Sequence, residues 1–350
     1  MTEVRKRLRK KGAMAVTARD IARIAGVSVS TVSRSLNNNT RISAETRERI
    51  KSIAAELDFE IDASARSLST RRSGTVALVC PDFLDRFENG LYVNLLIYDI
   101  RRCLASHDLD CLVTEAVSPS GQGTLRRLVL RHKVDGILLL LSSTLPEDWT
   151  LIRKRGIPVV QVHYAPAYFD ASRLDYFFAD NFRGGWLATE ALIESGSRRI
   201  ACMTGPCPNP EIVDRERGWR EAQEAQGLAA DGRLRFEAEN SFEAAYDCVR
   251  RNVEALRRAD GLFAFTDIMA LGALRALADE GIEVPRDMRV VGFDDIEIAN
   301  WARPRLTTIH QPREEIARLA TDRLFALLEG KEGEIEQHMI APTLVRRESC

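Results

Sequence analysis

From Thr75 onward, short apolar runs alternate with amphipathic helical stretches, and this alternation constrains the fold of the 350-residue chain more than any other feature. TVALVCP (75–81), DLDCLVTEA (108–116), DGILLLLS (135–142), IPVVQVH (157–163) and YFFAD (176–180) read as strands. RRIACMTG (198–205), GLFAFTD (261–267), MRVVGFD (288–294) and LTTIHQ (306–311) continue the series. Alternating strand and helix predicts parallel α/β sheets. Nine strands over about 275 residues are more than one such sheet usually holds, so two α/β lobes are expected. Ligands of such sheets bind outside the carboxyl ends of the strands. Asp82, His163, Asp180, Asp267 and Asp294 fall there. The longest apolar run, Ile137 to Leu141, is far short of the ~20 residues a membrane span needs, so no membrane partner is expected.

The net charge of −1 conceals an asymmetry. Residues 1–73 hold 16 Lys+Arg against 8 Asp+Glu, and the rest holds 34 against 43. A small basic head on a large acidic body fits a nucleic-acid binder with a separate sensing or catalytic domain. The basic start (Arg5, Lys6, Arg7) leads into more charge with no apolar segment, so a secretory signal is not expected. The seven cysteines are scattered without a CxxC pair, which argues for a reducing cytoplasm and against a disulfide framework or zinc site.

The head has its own logic. In TARDIARIAGVSVSTVSRSLN (Thr17–Asn37), Thr17 and Asp20 form a capping signature before Ile21, Ile24 and Ala25. Gly26 ends that helix and Ser28 caps a second, from Val29 to about Leu36. Small Ala22, turn Gly26 and filling Val27 and Val32 fit a helix-turn-helix. A third helix starts at Ser43 and presents Ile50, Ile53, Ala54 and Leu57 on one face. A plain three-helix bundle has no need of Ser28, Thr31, Ser33, Arg34 and Asn37 on its exposed side; such groups suit phosphates and base edges.

These stretches resemble the lactose-repressor (LacI/GalR) family over nearly the whole chain. The sharpest marks are AGVSVSTVSRSLN (Ala25–Asn37), DNFRGGWLATEALIESGSRRIA (Asp180–Ala201), DIMALGALRAL (Asp267–Leu277), VVGFDD (Val290–Asp295) and LTTIHQP (Leu306–Pro312). The resemblance implies an all-α helix-turn-helix head plus an α/β, two-lobed, periplasmic-binding-protein-like sensor. It places an arm at 1–15, the head at 16–61, a hinge at 62–73 and the sensor at 74–350. Its N-lobe would cover about 74–176 and 307–330, and its C-lobe about 177–306 and 331–350. Val29, Ser30 and Arg34 would read bases, with Thr17, Ser28, Thr31, Ser33 and Asn37 on phosphates. Ala65 and Leu68 of the hinge would enter the minor groove, Leu68 as the wedge. Ile61 and Asp62 depart from the proline and asparagine common in relatives. A translation start at Met14 would match typical relatives.

In the sensor, the resemblance gives Arg215 and Asp294 to a small sugar, sugar acid or related metabolite, with His163, Thr266, Asn240 and Phe87 at further pocket positions. His163 and Thr266 replace the aspartate and asparagine that sugar-sensing relatives often carry. Arg215 with His163 raises the expectation of an anionic effector. A palindrome-reading head implies a homodimer on double-stranded operator DNA, with the helix from Asn89 to about Leu104 as candidate interface. No cofactor and no metal are expected. Two other classes stand beside this regulator. An enzyme would need a motif such as a Walker loop, G-x-S-x-G or H-E-x-x-H, none of which occurs. An exported solute-binding protein would need a signal and would lack residues 16–69.

Overall fold

The computed structural model describes residues 16–36, 41–59, 72–80, 90–115, 123–140, 146–163, 174–206, 209–331 and 333–350. The chain divides into two compact units, Met1–Ser73 and Gly74–Cys350.

The described part of the first unit is three helices, Ala18–Ala25, Val29–Leu36 and Ala44–Glu56. The Asp20 carboxylate accepts from the Thr17 backbone N–H (3.2 Å) and hydroxyl (2.7 Å), which fixes the first helix start. Gly26 ends it in the left-handed conformation, φ 67°. The Arg49 guanidinium, from the third helix, donates to the Ala25 carbonyl at 3.0 Å and satisfies one of the end carbonyls. Ile21, Ala22, Ala25, Val32, Ile50, Ala54 and Leu57 form the core, with Val27 and Ile53 packed against it.

The second unit holds two six-stranded sheets. All nine strands read from the sequence are present: β1 (Thr75–Cys80), β2 (Asp110–Glu115), β3 (Gly136–Leu140), β4 (Val159–Val162), β5 (Asp175–Ala179), β6 (Ile200–Thr204), β8 (Gly261–Ala264), β9 (Arg289–Asp294) and β10 (Thr307–His310). Three were not anticipated: β7 (Arg235–Glu237), β11 (Gln337–Ile340) and β12 (Thr343–Val345). The first sheet runs β11-β5-β4-β3-β1-β2, all parallel. The second runs β12-β10-β9-β8-β6-β7, parallel except for β12 against β10. β3 and β4 are buried throughout, as strands covered by helices on both faces must be.

The lobe bounds differ from the expected ones. β10 pairs with β9 in the second sheet, so residues 307–310 belong to the C-lobe, not the N-lobe. β11 pairs with β5, so 337–340 return to the N-lobe, and the first lobe extends to Ala179. Only β12 and the residues after it, to Cys350, close the C-lobe. The chain therefore crosses between lobes three times, at Asp180, at Gln311–Pro312 and at Ala341–Pro342. The first and third crossings are tied together where the Asp180 backbone N–H donates to the Ile340 carbonyl at 2.9 Å.

The helices Asn181–Glu194 and Pro210–Ala225 pack backbone to backbone through Gly185 and Gly218. A Cβ on Gly185 would lie 2.3 Å from the Arg215 carbonyl oxygen, and one on Gly218 2.3 Å from that of Phe182. This contact sets the position of Arg215. The helix read from Asn89 to about Leu104 is observed as Leu91–Ser106, and its Leu91, Tyr92 and Leu95 pack against the C-lobe core.

Candidate functional site

On the second helix of the head, Val32 and Ser35 are buried, whereas Val29, Ser30 and Arg34 are exposed. Arg34 is an exposed cation in the last turn of this helix. Ser28 caps the helix, accepting from the Thr31 N–H at 3.1 Å, and its hydroxyl lies 2.8 Å from those of both Ser30 and Thr31. Thr17 is exposed at the first helix start, and Ser33 is half-buried. Asn37, Ala65, Leu68, Ile61, Asp62 and Met14 lie outside the described residues.

The body gathers its polar groups at the carboxyl ends of β4, β8 and β9, between the lobes. Arg215 is 4 % exposed and held from three sides. Its Nε donates to Asn181 Oδ1 (2.8 Å), its Nη1 to the Phe265 carbonyl (2.5 Å), and its guanidinium carbon sits 3.6 Å from the Phe293 ring centroid. Asp294 is buried, and its Oδ1 accepts from Gln311 Nε2 at 2.7 Å. Burial pushes the Asp294 carboxyl up to about 6, against the opposing charge of Arg215 and the Gln311 hydrogen bond. Asn181 and Gln311 stand at two of the three lobe crossings, so Arg215 and Asp294 are both tied to crossing segments.

His163 follows β4 with a positive φ of 62° and is buried. Its Nε2 lies 2.8 Å from the Tyr92 hydroxyl and its Nδ1 2.8 Å from Glu211 Oε1. Tyr92 belongs to the N-lobe and Glu211 to the C-lobe helix Pro210–Ala225, so this chain of bonds spans the lobes. Burial first, then the charges of Asp294 and Glu211, hold the Tyr92 phenol well above its usual range. The ring thus bridges a phenol, which can donate or accept, and the Glu211 carboxylate, which accepts from Nδ1–H.

Thr266 donates its hydroxyl to Asn240 Oδ1 at 2.7 Å and caps the helix Asp267–Asp279. Phe87 lies outside the described residues, as does Asp82. Two carboxylates near the strand ends are structural. Asp180 caps the helix Asn181–Glu194, accepting from the Arg183 N–H at 2.8 Å. Asp267, fully buried, accepts from the Thr308 hydroxyl (2.5 Å) and the Ile296 N–H (2.9 Å). Burial and the neighbouring Asp294 charge raise its pKa well above the usual carboxylate range. Asp295, beside the cleft, holds the C-terminal segment: it meets His310 Nδ1 at 3.0 Å and Arg347 Nη2 at 2.5 Å. Burial alone would raise Asp295, but these two partners outweigh it and its pKa falls.

Reading the sequence missed Tyr92, Glu211, Asn181, Gln311 and Phe293 as cleft residues. Asn181, Gln311 and Phe293 lie within the motifs already singled out, so a signal existed. Tyr92 and Glu211 are single polar positions on helices, and only the packing of the lobes brings them together. Among the described residues no group of three or more His, Cys, Asp or Glu is placed to hold a metal ion. No described helix is long and apolar enough to cross a membrane.

Comparison with known proteins agrees with this architecture. Residues 17–61 match the model for bacterial regulatory proteins of the lacI family, and residues 189–350 that for a periplasmic binding protein-like domain. The chain is 32 % identical to the ribose operon repressor of Escherichia coli (strain K12), over 95 % of this chain and 99 % of that one. It is 30 % identical to the transcriptional repressor PurR of Vibrio atlanticus, covering 95 % and 97 %. The solved complex of the transcriptional regulator CelR with cellobiose superposes with a TM-score of 0.71 at 30 % identity, over 96 % of this chain and 100 % of that one. The lac repressor dimer bound to operator and an anti-inducer shares the fold, with a TM-score of 0.76 at 22 % identity, covering 96 % and 99 %. With its helix-turn-helix head and two-lobed binding body, the chain belongs to the lacI family of bacterial regulatory proteins and is a DNA-binding transcriptional regulator, not an enzyme.

Proposed function

We propose that the helix Val29–Leu36 enters the major groove of a pseudopalindromic operator, with Val29, Ser30 and Arg34 reading base edges. Arg34 pairs with guanine, Ser30 bonds a base edge, and Val29 touches a thymine methyl. Ser28, Thr31, Ser33, Thr17 and Asn37 hold phosphates, and Ala65 and Leu68 enter the minor groove. A palindromic site calls for a homodimer, with the helix Leu91–Ser106 at its interface and the exposed Tyr98 on its outer face. The repressor acts on chromosomal DNA in the cytoplasm.

A small polyhydroxylated metabolite binds between the lobes, on Arg215 and Asp294, with His163, Thr266 and Asn240 around it. A relative of similar sequence has been solved with cellobiose. By linkage, an effector preferring one lobe arrangement changes operator affinity by its differential binding energy, typically ~1–3 kcal/mol.

The observation that carries this reading is the split of the second helix: Val32 and Ser35 buried, Val29, Ser30 and Arg34 presented to solvent. The test is selection of genomic fragments by the purified protein at near-physiological salt. Recovery of one pseudopalindrome by the wild type and its loss in Arg34→Ala is the expected result. Salt-sensitive binding without sequence preference in both proteins would overturn the base-reading assignment.

A further inference from the structure

Arg215 gives the cleft the look of an anion site, yet part of that cation is already committed. Its Nε and Nη1 are bonded to Asn181 and Phe265, and its face is stacked on Phe293. The other described groups converging on the cleft are predominantly acceptors. Asp294 faces Arg215, and Glu211 is close enough for its charge to act on both Asp294 and Tyr92. His163 is already engaged at both ring nitrogens, by Tyr92 and by Glu211.

A further acceptor stands beside Asp294. Gln311 is 1 % exposed, and its Nε2 is fixed on the Asp294 carboxylate. That leaves Oε1, which is buried without a hydrogen-bond partner among the described residues. A buried amide oxygen of this kind is costly unless a donor meets it. A carboxylated or phosphorylated ligand would bring acceptors to this oxygen and more negative charge to Asp294 and Glu211. A donor-bearing cation meets the Gln311 oxygen and is attracted by both carboxylates.

We propose that the effector is an amine-bearing polyol whose ammonium group faces Asp294, Glu211 and Gln311 Oε1. Glu211 and Gln311 are then specificity residues that select the charge of the ligand, while Arg215 and Asn240 supply donors to its hydroxyls. This inference rests on the effector role of the cleft proposed above.

The experiment is calorimetry on the full-length protein with matched triples: glucose, glucosamine and glucuronate, and the corresponding galactose and mannose series. Wild type, Glu211→Gln and Gln311→Leu are compared. At least one amino sugar is expected to bind about tenfold or more tighter than its neutral parent, with the uronate weakest. Glu211→Gln should bring the ratio of amine to parent affinity down toward one, whereas a merely structural role, exerted through the contact with His163, would move both ligands alike and leave that ratio unchanged. Gln311→Leu should weaken the amine more than the parent. A uronate that outbinds its amine, an amine preference that survives in Glu211→Gln, or a panel in which no amine binds would each overturn the proposal. Arg215→Ala in the same panel separates the two readings. If a neutral sugar or uronate binds the wild type and is lost in Arg215→Ala while the amines fail, only this inference falls; if binding of every sugar survives Arg215→Ala, the effector role of the cleft falls with it.

Discussion

Replacing Gly185 by alanine should destabilise the C-lobe, although alanine is the better helix former. The added Cβ would sit 2.3 Å from the Arg215 carbonyl oxygen and 2.9 Å from its Cα. A carbon–oxygen contact needs about 3.3 Å, so the helices must part by roughly 1 Å. Both sides of the contact are backbone, so no rotamer change relieves it. Overpacking of this kind costs ~1–3 kcal/mol, and the rigidity of the contact puts it at the upper end. The gain in helix propensity returns at most about 1 kcal/mol. The net loss is about 2 kcal/mol, which for a domain this size lowers the melting temperature by roughly 4–8 °C. Calorimetry of the full chain reads it, with Gly232→Ala as control, since a Cβ there meets nothing within 4 Å. If Gly185→Ala melts at or above wild type while the control is unchanged, the close-packing account of how Arg215 is positioned is wrong.

Gly26→Ala should cost the head about 1 kcal/mol through backbone strain alone, because φ is 67° and no atom lies within reach of the new Cβ. Faster amide exchange along Ala18–Ala25 would register it, and unchanged exchange would refute it. The buried pair Arg323–Asp175 (2.8 Å) should lose about 3 kcal/mol on Asp175→Ala, the low end for a broken buried pair, since Glu336 still meets Arg323 at 3.2 Å. Chemical denaturation should find much of that loss recovered in the double variant Asp175→Leu/Arg323→Met. The folded chain holds the Asp294 proton more tightly than the unfolded chain, with a pKa of about 6. Its contribution is therefore fully present below the unfolded value near 4 and is lost as pH rises through about 6, roughly 3 kcal/mol in all. Melting scans across that window should show a shallower decline in Asp294→Asn than in wild type; identical slopes would refute the assignment.

Much of the architecture could be read directly because its signals are local. The Thr17–Asp20 cap, Gly26 and the apolar faces of the three head helices lie within short stretches. The buried central strands are near-continuous apolar runs for a physical reason: helices cover both their faces. The features that escaped depend on long-range pairing. β7, β11 and β12 are short edge strands, and β11 is mostly exposed, so no apolar run marks it. The placement of β10 could not be deduced from its sequence either, because a strand of TTIH fits either lobe until β9 claims it. The anionic cast of the expected effector came from counting Arg215 and His163 together. Glu211, more than forty positions from His163 in sequence, occupies Nδ1 and weighs against that reading.

The cleft residues also give the effector a physical route to the lobes' relative position. On the function proposed above, Arg215 and Asp294 touch the ligand, and each bonds a residue of a different crossing segment, Asn181 and Gln311. A ligand that pulls on either cannot do so without changing the hydrogen bonding of a crossing. Against it stand the Tyr92–His163–Glu211 bonds, which already join the lobes. Each such bond is worth only about 1 kcal/mol net, or up to ~3 where a charged group takes part. That is the same size as the coupling energy an effector must supply. The apolar contacts of Leu91, Tyr92 and Leu95 with the C-lobe core add to these bonds, so an effector must prefer another lobe arrangement by more than the polar bonds alone to shift the lobes.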